Sequence, residues 1–154
     1  MRNVMLAAAA ALMGCSPQGA VSAPVDRSPA GLEQVVLTIK SASATHKFTV
    51  EVARSPEEQS RGLMHRQSLA PDRGMIFPYD PPQPVGFWMK NTLIPLDMIF
   101  IRQDGTIATI AENTVPMSLE LVPSVEPVVA VLEIAGGRSA ELGIKAGDKV
   151  NWQQ

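Results

Sequence analysis

Two carboxylates sit inside strongly apolar stretches of this chain, and they are where its chemistry would be. Phe87 to Ile101 reads Phe-Trp-Met-Lys-Asn-Thr-Leu-Ile-Pro-Leu-Asp-Met-Ile-Phe-Ile and carries Lys90, Asn91, Thr92 and Asp97. Glu133 interrupts Val-Val-Ala-Val-Leu-Glu-Ile-Ala. An ionised group in such a run must be hydrated at an edge, paired or neutralised, because burying a lone charge is prohibitively costly. If the two strands are neighbours, Asp97, Glu133, Lys90 and Asn91 converge. They would then form a polar pocket for a small ligand, or a general acid/base pair with one raised pKa. The competing and heavier reading is a structural ion pair with hydrogen bonds that fix a turn, since ion-pair networks also place charges inside strands. Asn91-Thr92 suits turn chemistry better than ligand contact. Trp88 alternates with Phe87 and Met89. Facing outward it suits a sugar or a partner protein; facing inward it packs under the proline-rich loop that precedes it.

Other constellations are weaker. Met64, Met75, Met89, Met98 and Met117 could collect soft Cu(I), but they are scattered, and methionine commonly fills irregular core gaps. His46 and His65 are the two histidines and Cys15 the lone cysteine. The usual four-ligand zinc sites are therefore unavailable, and no metal or cofactor is expected. His65, near the end of a predicted helix, is placed to interact with the last carbonyls. Gly136-Gly137-Arg138-Ser139, ahead of a helical turn, could seat an anion, although so short a helix more often marks only a turn. No nucleophile elbow, phosphate loop, dinucleotide fingerprint or Cys-His pairing occurs.

The elements that must hold these residues are short. Val35–Lys40 and Lys47–Val52 alternate as strands of a hairpin. Ser55-Pro56-Glu57-Glu58 opens a helix with a capping box and proline at its first position, running to about His65 with Gly62 weakening it. Gly74–Phe77 reads as a short strand and Pro78–Pro84 as irregular chain. Val85–Lys90 and Leu93–Arg102 read as strands, the second demoted by Pro95 to an edge or bulge. Asp104-Gly105 is a hairpin turn leading to a strand over Thr106–Glu112. Three prolines bracket a long loop after it. Val128–Ile134 is a buried strand, Ser139–Leu142 a helical turn stopped by Gly143 in a left-handed cap, and Asp148–Trp152 a closing strand. About eight short strands with one short helix predict a mostly β (α+β) fold, a compact antiparallel sandwich or partly open barrel.

The 154 residues suffice for one domain with a short extension. At 45% hydrophobic and 18% charged residues, the composition is that of a globular domain. A net charge of −2 argues against a nucleic-acid partner, because phosphate binding needs a basic surface.

The first residues read as an address. Arg2 is a meagre charged region, and Val4–Met13 is an apolar segment too short to span a bilayer. Leu12-Met13-Gly14-Cys15 resembles a bacterial lipobox, in which the cysteine is acylated and the chain is cut just before it. Residues 1–14 are thus expected to be a lipoprotein-type signal peptide, 15–32 a flexible tether and 33–154 the β-rich domain. A lone thiol is a liability in an oxidising compartment unless it is consumed, and lipid on Cys15 would consume it. Ser16 after the cysteine implies the outer membrane. The expected location is the cell envelope, anchored through lipid and facing the periplasm.

Taken in order, Arg61-Gly62-Leu63-Met64, Gly74-Met75-Ile76-Phe77, Phe87-Trp88-Met89-Lys90-Asn91-Thr92, Pro95-Leu96-Asp97, Leu132-Glu133 and Gly147-Asp148-Lys149-Val150 resemble the domain of unknown function 192 family (UPF0127). The likeness runs from about Val36 to Val150. It implies a compact β-rich barrel or sandwich with a short helix, and no established activity, so it supplies no catalytic residues. One departure is the loop Leu121–Glu126, apolar where relatives often carry an aromatic and small polar residues. The reading of the whole chain is an envelope protein that acts as a non-catalytic small-ligand or protein-binding module. It would use Trp88, Lys90, Asn91, Thr92, Asp97 and Glu133. The alternatives are a small hydrolase-like enzyme using Asp97 and Glu133, or a methionine-rich Cu(I)-binding protein.

Overall fold

The structure, a computed structural model, describes residues 26–153. The expected signal peptide, Cys15 and most of the expected tether lie outside the described residues. The end of that tether belongs to the domain's edge: Arg27 bridges Glu33, and Gln34 donates its backbone N–H to the Asp26 carbonyl.

Nine strands and two short helices follow, mostly β as the alternation predicts. β1 (Gln34–Lys40) and β2 (Thr45–Val52) form the expected hairpin, Val35 opposite Val50. α1 (Pro56–Arg61) has the predicted capping box, Ser55 accepting from the Glu58 backbone while Glu58 reaches back to the Ser55 N–H. It stops at Arg61, four residues short of His65. Gly62 adopts φ 46, ψ −133, a conformation that suits glycine alone, and turns the chain away. His65 therefore lies beyond the helix, with φ 63, donating its backbone N–H to the Asn91 carbonyl.

β3 (Arg73–Gln83) runs through the proline-rich segment expected to be irregular. Its ladder to the neighbouring strand shifts between Pro78 and Gln83, so the prolines fall where few backbone donors are needed. β4 (Gly86–Phe87) pairs only with β7 (Val122–Pro123), away from the main sheet. β5 (Leu96–Ile101), β6 (Ile107–Ala111), β8 (Val128–Ala135) and β9 (Lys149–Trp152) complete the sheet. Pro95 precedes β5 instead of making it an edge strand, and all six residues of β5 are buried between β6 and β8. α2 (Arg138–Leu142) ends at Gly143 in the predicted left-handed cap, φ 67.

The seven-stranded sheet has the order β6-β5-β8-β3-β2-β1-β9, antiparallel except for β2 with β3. It curls into a half-barrel. At one end its two edges meet, where Thr106 bridges Lys149 and the Val150 N–H donates to the Gly105 carbonyl. Strands β3, β5, β6 and β8 feed two cores, because successive side chains point to opposite faces, while β1, β2 and β9 contribute to the first alone. The concave set includes Leu37, Phe48, Val50, Ile76, Ile99, Ile101, Leu132 and Ile134. The other face stacks Met75, Phe77, Met98, Phe100 and Val131 beneath Leu63, Met89 and Leu96. Each fully buried side chain of this size contributes about 1.5–3 kcal/mol. Among the described residues no helix is long and apolar enough to cross a membrane.

Candidate functional site

Asp97 is fully buried, and its partners are backbone groups. Oδ1 accepts from the N–H of Asn113 at 2.7 Å and of Gly137 at 2.8 Å, and Oδ2 accepts from the N–H of Ser139 at 2.7 Å. Gly137 and Ser139 open α2, where the first N–H groups have no partner within the helix. The anion seat read from Gly136-Gly137-Arg138-Ser139 is thus filled by the protein's own carboxylate. Gly136 makes the closure possible: a Cβ there would lie 2.7 Å from Asn113 Oδ1 and 2.8 Å from Pro95 Cβ. Asp97 ties the turn after β6 and the start of α2 to β5.

The expected convergence of Asp97 with Glu133 and Lys90 does not form. On β5 and β8, Asp97 is opposite Ile134 and Met98 is opposite Glu133. One step of register places the two carboxylates on opposite faces of one sheet. Lys90 is exposed, its Nζ 5.1 Å from the centre of the Trp88 ring. Asn91 takes φ 55 in a turn, and its side-chain amide reaches the Met64 sulfur at 3.8 Å. That is the turn chemistry expected of it.

Glu133 is different. It is 5% exposed, and across the ladders on either side its neighbours are Met75 and Met98, both fully buried. Burial alone pushes its carboxyl up to about 8, with no hydrogen bond or opposite charge offsetting it. The phenol of Tyr79, on the same face of β3, is raised to about 12 by its own burial and then by Glu133. The other buried carboxylates find partners within the chain. Asp97 has three N–H groups, Glu51 has Arg66 at 2.6 Å, and Asp148 has the Lys145 N–H at 2.9 Å. Among the described residues nothing does the same for Glu133.

Glu133 instead faces an open cavity of about 300 Å³. Phe77 of β3, Phe87 of β4 and the adjoining Trp88 and Thr92 form one side, and the end of α1 with Gly62, Leu63 and Met64 the other. Phe77 and Phe87 meet edge to face at 5.0 Å, holding the aromatic wall in one geometry. Thr92 is buried, and its hydroxyl donates to the Lys90 carbonyl. Trp88 lines the cavity and is 47% exposed. Of the six residues expected to form a site, Trp88, Thr92 and Glu133 share this cavity; Lys90 and Asn91 do not line it, and Asp97 lies across the sheet. Leu63, Met64, Phe77 and Phe87 were missed as walls. They belong to sequence blocks already conspicuous, Arg61–Met64, Gly74–Phe77 and Phe87–Thr92, which only the fold brings together around one cavity.

The methionines do not gather at an opening. Met75, Met89 and Met98 are buried at 0–2% exposure, and Met117 is 53% exposed on the long loop. Among the described residues no group of three or more His, Cys, Asp or Glu side chains could hold a metal ion.

Two solved structures share this architecture. A protein of unknown function from Novosphingobium aromaticivorans is 45% identical, matching 90% of this chain and 100% of its own with a TM-score of 0.82. A Sinorhizobium meliloti protein described as a "putative transcription regulator" is 45% identical over 79% of this chain and 95% of its own, with a TM-score of 0.77. No functionally curated protein is detectably similar. Residues 37–152, from the first core strand to the last, match the uncharacterised conserved domain DUF192, and the chain belongs to that family.

Proposed function

We propose that this protein is a non-catalytic binding module whose ligand is a small molecule held in the cavity over Glu133. The carrying observation is Glu133, among the described residues the one buried carboxyl without a partner, placed at the wall of an aromatic-sided concavity. A buried polar group normally has a partner, and a concave, largely apolar site with a few convergent polar groups is the usual form of a ligand pocket. Paired acid/base chemistry with Asp97 loses its basis, because two carboxyls on opposite faces of a sheet cannot flank one bond. The buried methionines suit packing better than copper capture. The net charge of −2 gives the relative's description as a regulator no electrostatic support here. The test is a fragment screen followed by amide and methyl NMR shifts. Ligands should perturb Phe87, Trp88, Met64 and Thr92 and lose affinity in Glu133→Gln. Hits scattered over other surfaces would overturn the reading.

We further propose that the domain works in the cell envelope, tethered through lipid on Cys15. The support is the Leu12-Met13-Gly14-Cys15 sequence after a short apolar segment. Radiolabelled palmitate should enter the wild-type chain and not Cys15→Ser; equal labelling, or none in either, would remove the anchor.

A further inference from the structure

Among its buried lining groups the Glu133 cavity offers recognition of one sign only. Its walls bring π-faces and edges from Phe77, Phe87 and Trp88, and its one buried charge-bearing group is a carboxyl. Aromatic faces carry negative charge at their centres and attract cations. Trp88 already does this within the chain, where Lys90 lies over the ring. A carboxyl in such surroundings is satisfied best by a donor that also brings positive charge. Resting on the binding reading above, we infer that the ligand is a small organic cation, a protonated amine on an aromatic or branched apolar body. Its ammonium meets Glu133 and its body lies against Phe77, Phe87 and Trp88.

The surrounding charges are compatible with this. Arg61, at the end of α1, lines the mouth, but it is exposed and screened by solvent, so its repulsion of an ammonium at the floor is weak. Tyr79, from β3, is neutral across the physiological range and adds no charge. β5 contributes Met98, and Asp97 is on the far face. A volume of about 300 Å³ lies at the small end of ligand pockets, room for a single-ring amine and not for a peptide.

Binding of an ammonium and ionisation of Glu133 are then linked. The ammonium selects the carboxylate, whereas an alcohol or a carboxylic acid would accept from the protonated form. The experiment titrates phenethylamine, 2-phenylethanol and phenylacetate against the full chain, following the Phe87, Trp88 and Glu133 signals by NMR. Phenethylamine should bind at least about tenfold more tightly than the other two near pH 9. Its affinity should fall by up to about tenfold per pH unit below the Glu133 titration. Glu133→Gln, shown folded by its spectrum, should lose about tenfold or more, and Trp88→Leu should weaken binding with Glu133 intact. If the alcohol or the acid binds as tightly at the same residues, the ligand class is overturned and the cavity reading stands. If no probe perturbs these residues, both fall.

Discussion

Asp97 and Glu133 lie one register step apart on adjacent strands, Asp97 opposite Ile134 and Glu133 opposite Met98, and so look out from opposite faces of the same sheet. That single offset divides their roles. Asp97 enters the loop cluster above β5 and is saturated by three backbone N–H groups. Glu133 enters the second core, where the side chains on either side are methionines, and has no hydrogen-bond partner among the described residues.

Asp97→Asn should destabilise the fold by about 2–4 kcal/mol. It exchanges one accepting oxygen for an amide that opposes a buried N–H, and it removes the charge that strengthens the rest. Urea denaturation checks this, and the cavity residues of the folded variant should keep their NMR shifts. An unchanged midpoint would show that the three contacts contribute little.

Ser139→Ala should be neutral or stabilising by up to about 1 kcal/mol. Its backbone N–H serves Asp97, but its hydroxyl is buried without a partner among the described residues. Replacing an unsatisfied buried hydroxyl with a methyl removes a desolvation cost and keeps the backbone donor. A loss of more than about 1 kcal/mol in thermal unfolding would reveal a partner for that hydroxyl.

The stability of the wild-type protein should fall between pH 4.5 and about 8 relative to Glu133→Gln. The folded state holds the Glu133 proton more tightly than the unfolded chain does. The contribution is therefore full below the unfolded value, is lost as pH rises to the folded one, and is flat above it. The ceiling is about 5 kcal/mol, which water entering the cavity will reduce. Near pH 9 the Gln variant should be the more stable. Parallel denaturation curves for the two proteins across this range would refute the raised pKa.

Gly62→Ala should cost about 1–3 kcal/mol, since φ 46 with ψ −133 is hostile to any side chain. The added methyl would also sit 3.4 Å from the Phe77 ring at the cavity wall, so ligand affinity should change with stability. Guanidinium melts measure the first and titration of the bound probe the second. Wild-type values for both would mean that this turn is not under strain.

The sequence determined what depends on neighbours along the chain. Alternation fixed the β1–β2 hairpin, the capping box placed the start of α1, and Gly143 its left-handed cap after α2. Ordered local blocks were enough to reveal the family. Glu133 and Asp97 were both legible as anomalies, because a carboxylate in an apolar strand is conspicuous in one dimension. Only the tertiary structure decided what each anomaly meant. Pairing register between β5 and β8 is set by side-chain packing across strands far apart in sequence, and a shift of one residue reverses every face. The partners of Asp97 come from Asn113, Gly137 and Ser139, backbone groups that have no signature in residue type. The cavity likewise exists because α1 and β4 are folded over the Met75–Met98 face, a long-range arrangement that no local pattern encodes.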